Sequence, residues 1–220
     1  MLTAELINHN IPQLTLQDSI GKALQLIQDF RISHLPVVSE EKYLGLISEE
    51  DLSDAEDKKG TIEVLQDSFI TASIFEKEHF LNAVNFCIKI DTNVVPIINT
   101  EMELTGVITV SDLLKTLGNF SGANEIGGII VLEMERSEFI ISEISRIVES
   151  NDATILHLNT TVHPENGLLT VTLHLNKKEI ATIIATFERY EYTVTFSYGN
   201  ETHTTNIESN YQHLMTYLDL

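Results

Sequence analysis

The sequence predicts a mixed α/β (α+β) chain in two parts, an internally repeated half followed by a single two-layer sandwich. Three observations carry this. A helix stripe followed by a proline-centred strand recurs sixty residues later; a Gly-apolar-Ile-Ser/Thr-x-x-Asp-Leu sequence closes both copies; and the chain beyond residue 127 alternates in the order strand, helix, strand, strand, helix, strand. With 220 residues, 43% of them apolar, there is material for two domains of about 100 residues each.

In the first copy, Ile20, Ala23, Leu24 and Ile27 fall at i, i+3, i+4 and i+7, one face of an amphipathic helix, and Phe80, Ala83, Val84 and Cys87 repeat it. Leu35-Pro36-Val37-Val38 and Val95-Pro96-Ile97-Ile98 then read as buried strands, followed by a polar turn, Ser39–Tyr43 in the first copy. Each copy ends with a strand running into a helix: Gly45-Leu46-Ile47-Ser48-Glu49-Glu50-Asp51-Leu52 and Gly106-Val107-Ile108-Thr109-Val110-Ser111-Asp112-Leu113. Gly45 and Gly106 are expected to lead out of the turn, where a residue without Cβ moves freely. Ser48 and Thr109 stand where strand becomes helix, the preferred place of an N-cap hydroxyl. Asp51 and Asp112 fall in the first helical turn, where the helix dipole favours a carboxylate. Capping alone explains one such hydroxyl–acid pair. Two pairs in matching repeats add a second reading, in which a helix N-terminus receives an anion and the Asp accepts from a ribose diol.

On these residues, positions 6 to 118 resemble a pair of cystathionine-β-synthase-type (CBS) domains, residues 1–60 forming the first repeat and 61–120 the second. The resemblance implies two clefts related by a pseudo-twofold axis, often occupied by adenosine nucleotides. Ser48 and Thr109 would then contact phosphate or ribose, and Asp51 and Asp112 the ribose hydroxyls. Leu35-Pro36, Val95-Pro96, Leu14 and Ile74 would supply an apolar slot for a base. Glu49 and Glu50 oppose a phosphate in the first cleft, whereas the second has Val110 and Ser111, so the Thr109–Asp112 cleft is the expected phosphate site. Basic contacts are sought in Lys115, Arg31 and His34.

Composition removes other classes. Thirteen Lys and Arg face thirty-three Asp and Glu, a formal net charge of −20, with both halves acidic. Such a field repels nucleic acid and anionic membranes. One cysteine permits no intrachain disulfide, the N-terminus lacks the pattern of a signal peptide, and no apolar run approaches a membrane span, which together predict a cytoplasmic protein. The run Glu49–Asp57 holds six acids in nine positions, reading as a solvated helix face rather than a cation site. His34 is placed on the cleft or at a hydrogen-bonded rim, and Cys87 in helix packing. No phosphate-loop, dinucleotide, nucleophile-elbow or metalloprotease motif occurs, and no catalytic role, metal or obligatory cofactor is expected.

In the second half, Asn119–Glu125 reads as a linker, Ile129–Met134 as a strand, and Phe139, Ile140, Ile144, Ile147 and Val148 as a helix face with Ser137 as its cap. Thr154–Thr161 and Leu169–Leu175 read as strands, joined through the Asn166-Gly167 turn, with Leu156 and Leu158 facing inward. Asn176 and Glu179 make a capping-box pair before Ile180, Ile183, Ile184 and Phe187, and Tyr192–Tyr198 is the last strand. This βαββαβ order is of ferredoxin-like type. After a CBS pair, residues 127–198 resemble the ACT domain, and the whole chain resembles CBS–ACT proteins of the acetoin-utilisation type. That resemblance implies amino-acid binding or dimerisation, and the loop Glu133–Glu138 lacks the glycine that admits an amino acid and is crowded by glutamates. Dimerisation is the expected role. Residues 199–220 form an extension in which Tyr211, Leu214, Met215 and Leu218 mark a short amphipathic helix. Taken together, the chain is expected to be a regulatory homodimer that senses a small-molecule effector, an AMP- or ATP-like ligand first among them, and reports to a protein not identified by sequence. The alternatives are a scaffold with vestigial clefts and an amino-acid sensor.

Overall fold

The computed structural model describes residues 1–199, and the Tyr211–Leu218 stripe lies outside the described residues. The chain divides into two units, Met1–Leu117 and a second from Gly118 onward. Helices and sheets alternate throughout, as the mixed α/β reading requires.

Within the first unit each repeat builds the same three-stranded sheet. In the first, β1 (Leu14–Thr15) runs parallel to β2 (His34–Ser39), which pairs antiparallel with β3 (Lys42–Ser48). In the second, β4 (Ile74–Phe75), β5 (Val94–Ile98) and β6 (Leu104–Thr109) repeat that order. Helix α1 (Ile20–Phe30) buries Ile20, Ala23 and Ile27, is capped by Ser19, whose side chain accepts from the Lys22 N–H, and ends at Arg31 in the left-handed conformation. Its counterpart α3 (Phe80–Ile90) buries Phe80, Ala83 and Phe86 and ends in the same way at Asp91. Val84 and Cys87 are only half-buried, so the α3 stripe is centred about one position away from the spacing expected. Pro36 and Pro96 are tolerated in the middle strands because β1 and β4 begin pairing one residue later, at Val37 and Ile97, leaving no ladder partner for the missing N–H. Leu35, Val37, Val95 and Ile97 from both repeats share one core, so neither repeat closes its apolar face alone.

The two motif glycines do a different job from the one the sequence suggested. Gly45 and Gly106 lie inside β3 and β6, each beneath a crossing segment. Ile70 pairs with Leu46 over Gly45, and Asn8 pairs with Val107 over Gly106. A Cβ on Gly45 would stand 2.8 Å from Phe69 Cβ, and one on Gly106 2.4 Å from Ile7 Cγ2. The absence of a side chain is required by this close approach. The crossing segments also pair at their other ends, Thr61 with Ser19 and Leu2 with His79. Residues 61–70 thus cover the repeat that precedes them, while residues 2–8 cover the second repeat.

Ser33 and Asn93, at matching positions of the two repeats, clasp each other. The Ser33 N–H donates to Asn93 Oδ1 at 2.8 Å, the Asn93 N–H donates to Ser33 Oγ at 3.2 Å, and Ser33 Oγ donates to Asn93 Oδ1 at 3.1 Å. Their carbonyls accept from the Glu49 and Val110 N–H groups, both at 2.9 Å. The clasp therefore holds the first residue of both closing helices, α2 (Glu49–Asp54) and α4 (Val110–Phe120).

The second unit is a four-stranded antiparallel sheet in the order β10-β7-β9-β8, formed by β7 (Gly128–Met134), β8 (Ile155–Val162), β9 (Leu169–Leu175) and β10 (Thr193–Tyr198). Helices α5 (Ile141–Glu149) and α6 (Ala181–Arg189) supply the rest of its core, with Ile130, Leu132, Val171, Leu173, Ile144, Ile147, Ile183 and Phe187 fully or almost fully buried. Several local expectations are corrected. Neither helix has a side-chain cap: α5 starts after Ile140, with Ile140 itself 49% exposed, and α6 starts after Ile180. Glu135 and Glu138 form a capping box on a short 3-10 turn instead, and the Asn176 side chain accepts from the Thr154 N–H at 2.8 Å, joining β9 to the start of β8. A register shift between Ile155 and His157 turns Leu156 outward.

Candidate functional site: two corners and a cleft

Both closing motifs fold into the same corner. Ser48 is the N-cap of α2: its Oγ accepts from the Asp51 N–H at 3.0 Å and donates to Asp51 Oδ2. Thr109 Oγ1 accepts from the Asp112 N–H at 3.2 Å and donates to Asp112 Oδ2 at 2.7 Å. Capping is therefore real in both copies, and it leaves one carboxylate oxygen of each Asp outside the hydroxyl bond.

Beside the first corner opens a cleft of about 570 Å³. Ser33, Ser48 and Ser53 give it hydroxyls, Glu49, Glu50, Asp51 and Asp91 carboxylates, and Ile70 and Ile90 an apolar surface. Among the described residues no lysine or arginine lines it. His34 also lines it and is only 7% exposed. Burial pushes the His34 pKa below its ordinary value, against the pull of Asp51 and Asp91 in the opposite direction. Its Nδ1 stands 2.8 Å from Ser33 Oγ.

At the second corner the crossing segment reaches the acid. Asn8 Nδ2 donates to Asp112 Oδ2 at 3.4 Å, and the Asn8 N–H donates to the Val107 carbonyl at 2.7 Å. Burial works to raise the Asp112 pKa, but hydrogen bonds from Thr109 and Asn8, helped by the Lys115 charge, hold it below the usual carboxylate value.

Of the residues expected at the site, the structure brings His34, Ser48 and Asp51 to the first cleft and sets Thr109 beside Asp112 at the other corner. Leu14, Leu35, Pro36, Val95 and Pro96 are buried strand residues, and Ile74 is half-buried against the same core. The apolar surface of the first cleft comes instead from Ile70 and Ile90. Sequence reasoning also missed Ser33, Asn93, Asp91 and Asn8. The sixty-residue offset that pairs Ser33 with Asn93 and Arg31 with Asp91 was the available signal.

In the second unit, Glu133, Glu138, Glu143 and Glu191 surround a cavity of about 360 Å³ together with Tyr190 and Tyr192. The Tyr192 hydroxyl donates to Glu143 at 2.9 Å, and burial with that partner raises its pKa to about 12. Two of these glutamates belong to the loop in which the sequence already showed crowding.

The CBS domain family model matches residues 4–58. An inosine-5'-monophosphate dehydrogenase from Methanocaldococcus jannaschii is 28% identical over 113 residues, 50% of this chain, and the chain spans only 22% of that enzyme's length. Among solved structures, a CBS domain pair/ACT domain protein from Thermotoga maritima aligns over 55% of this chain and 98% of its own, at 16% identity and a TM-score of 0.49. CBSX2 in complex with AMP aligns over 54% of this chain and 97% of its own, at 13% identity and a TM-score of 0.46. The family match covers the first repeat, and the second repeat builds the same strand topology. Among the described residues, no helix is long and apolar enough to cross a membrane and no cluster of His, Cys, Asp and Glu is arranged to hold a metal ion.

Proposed function

We propose that this chain is a non-catalytic regulatory protein in which the CBS pair senses an adenosine nucleotide or derivative, and in which the βαββαβ unit acts as an ACT-type dimerisation module. The observation that carries the reading is the doubled hydroxyl–carboxylate corner, built with the same bonds at Ser48–Asp51 and Thr109–Asp112. A carboxylate oxygen left outside the capping bond is the acceptor a ribose diol requires. The Thr109–Asp112 corner is the better place for a phosphate. Val110 and Ser111 stand where the first motif has Glu49 and Glu50, Lys115 lies close enough to act on Asp112, and Arg31 corresponds to Asp91 of the first cleft. Each unfavourable carboxylate near a phosphate is worth on the order of 1 kcal/mol at such separations.

Thermal unfolding with AMP and ATP tests this. A saturable rise in Tm is expected, about 2.7 kcal/mol of added stability at a hundredfold excess over Kd. It should be lost in Arg31→Ala and Asp112→Ala and retained in Asp51→Ala. Sedimentation should show a dimer that survives these substitutions. A second reading, an interaction scaffold with an unused second cleft, is favoured by the Asn8 amide already bonded to Asp112. It predicts flat thermal curves with AMP and ATP and an intact dimer. Amino-acid sensing by the second unit is disfavoured by the four glutamates around its cavity, which repel a free carboxylate.

A further inference from the structure

His34 is more than nine-tenths buried yet lines the first cleft, and its Nε2 has no hydrogen-bond partner among the described residues. The state of that nitrogen follows from counting protons. Ser33 Oγ has a single hydrogen and donates it to Asn93 Oδ1, while one of its lone pairs accepts from the Asn93 N–H. With the hydroxyl engaged by Asn93, the bond to His34 is assigned as Nδ1–H donating to Ser33 Oγ. In the neutral ring this leaves Nε2 as a bare acceptor with the cleft as its open side. Asn93, which belongs to the other repeat, thereby fixes what His34 offers to a ligand.

The rest of the lining points the same way. Glu49, Glu50, Asp51 and Asp91 can only accept hydrogen bonds when ionised. Helix α2, at six residues, is too short to offset them with its N-terminus. A volume of about 570 Å³ is the size of a small-molecule site.

We propose that the Ser48–Asp51 cleft binds a nucleoside-sized, hydroxyl-bearing ligand that carries a positive charge or none and donates a hydrogen bond to His34 Nε2, and that it rejects phosphorylated ligands. The two clefts of one CBS pair then take ligands of different charge. This rests on the reading of the corners as nucleoside sites, and goes beyond it in assigning the first cleft a charge class of its own.

The test uses the full chain and a matched series of probes: 5'-amino-5'-deoxyadenosine (cationic at neutral pH), adenosine (neutral) and AMP (anionic). Binding is followed by NMR through the imidazole Cε1–H of His34, assigned with His34→Gln, so that only the first cleft is read; total binding is followed by thermal shift. The amine is expected to move the His34 resonance with a Kd at least about tenfold lower than AMP, with adenosine between them. In the Glu49→Gln/Glu50→Gln double variant, whose positions are exposed so that the fold is kept, the gap should shrink to about threefold or less. The proposal is overturned if AMP moves His34 at the same or lower concentration than the amine, or if the double variant leaves the gap unchanged. It is also overturned, with the nucleotide reading left standing, if none of the probes moves His34 while AMP still raises Tm through Arg31. If no probe gives any signal by either method, the nucleoside reading itself falls and takes this inference with it.

Discussion

The two repeats share a backbone and differ in charge. Around the first corner stand Glu49, Glu50, Asp51 and Asp91; at the corresponding positions of the second stand Val110, Ser111, Asp112 and Arg31. His34 in the first corresponds to Val94 in the second, and Ile70 to Asn8. The residues held in common, the glycine, the apolar strand, the hydroxyl and the Asp, are those that build the corner. Those that differ line, in the first repeat, the cleft beside it. Architecture has been kept where packing demands it, and the electrostatics have separated where a ligand would be met.

The comparison can be broken first at the glycines. Gly45→Ala is expected to cost about 2–4 kcal/mol, because the added Cβ meets Phe69 Cβ at 2.8 Å and the Ile70 carbonyl oxygen at 3.1 Å, atoms at or next to the backbone. Gly106→Ala should cost about 1–2 kcal/mol, since the first atom met is the Ile7 side-chain methyl, which can rotate away. Urea unfolding of both variants checks the order, and equal costs would show that the two crossing segments are equally yielding.

The clasp is the next largest effect. Ser33→Ala and Asn93→Ala should each cost about 1–2 kcal/mol, with a coupling energy of about 1 kcal/mol in a double-mutant cycle, because each removes bonds made to the other. A coupling near zero would mean that the two repeats are joined by their common core alone.

The acids come third. Asp112→Ala strands the Asn8 amide and removes a favourable partner of Lys115, for an expected loss of about 1 kcal/mol. Asp51→Ala loses the Ser48 bond but relieves repulsion from Glu49 and Glu50, so its net effect should be below about 0.5 kcal/mol. Chemical denaturation resolves a difference of that size.

The smallest effect is in pH. The folded-state pKa of His34 is depressed, so between that value and the unfolded value near 6.5 the unfolded chain holds a proton that the native chain lacks. The contribution is fully present above about pH 6.5 and is lost as pH falls through the window below it. His34→Gln should flatten the stability–pH curve there relative to the parent chain. Val94→Ala at the matching position should lower stability by the same amount at every pH across that window.

Much of this arrangement was legible in the sequence. The repeat, the corners and the βαββαβ order are local patterns, and local patterns survive folding. Gly45 and Gly106 were visible as motif residues, but their reason was not, because the segments crossing them come from Phe69-Ile70 and Ile7-Asn8, far along the chain. The first cleft draws Ile70, Ile90 and Asp91 from the second half of the repeat pair, which no window around Ser48 contains. The caps assigned to Ser137 and Asn176 failed for a related reason. A 3-10 turn and a bond to Thr154 offered those backbone and side-chain groups other partners.

The crossing segments also differ in how far along the chain they reach. Thr61–Ile70 finds its seat on the repeat just before it, across loops of about twenty-five to forty residues, whereas Leu2 and Asn8 must reach strands roughly eighty to a hundred residues downstream. Each doubling of loop length adds about 0.6 kcal/mol to closure, so of the two crossing segments the one at residues 2–8 carries the larger closure cost. Without the Asn8–Val107 bridge, β6 stands uncovered at Gly106, so the second repeat is complete only with a segment about a hundred residues away from it.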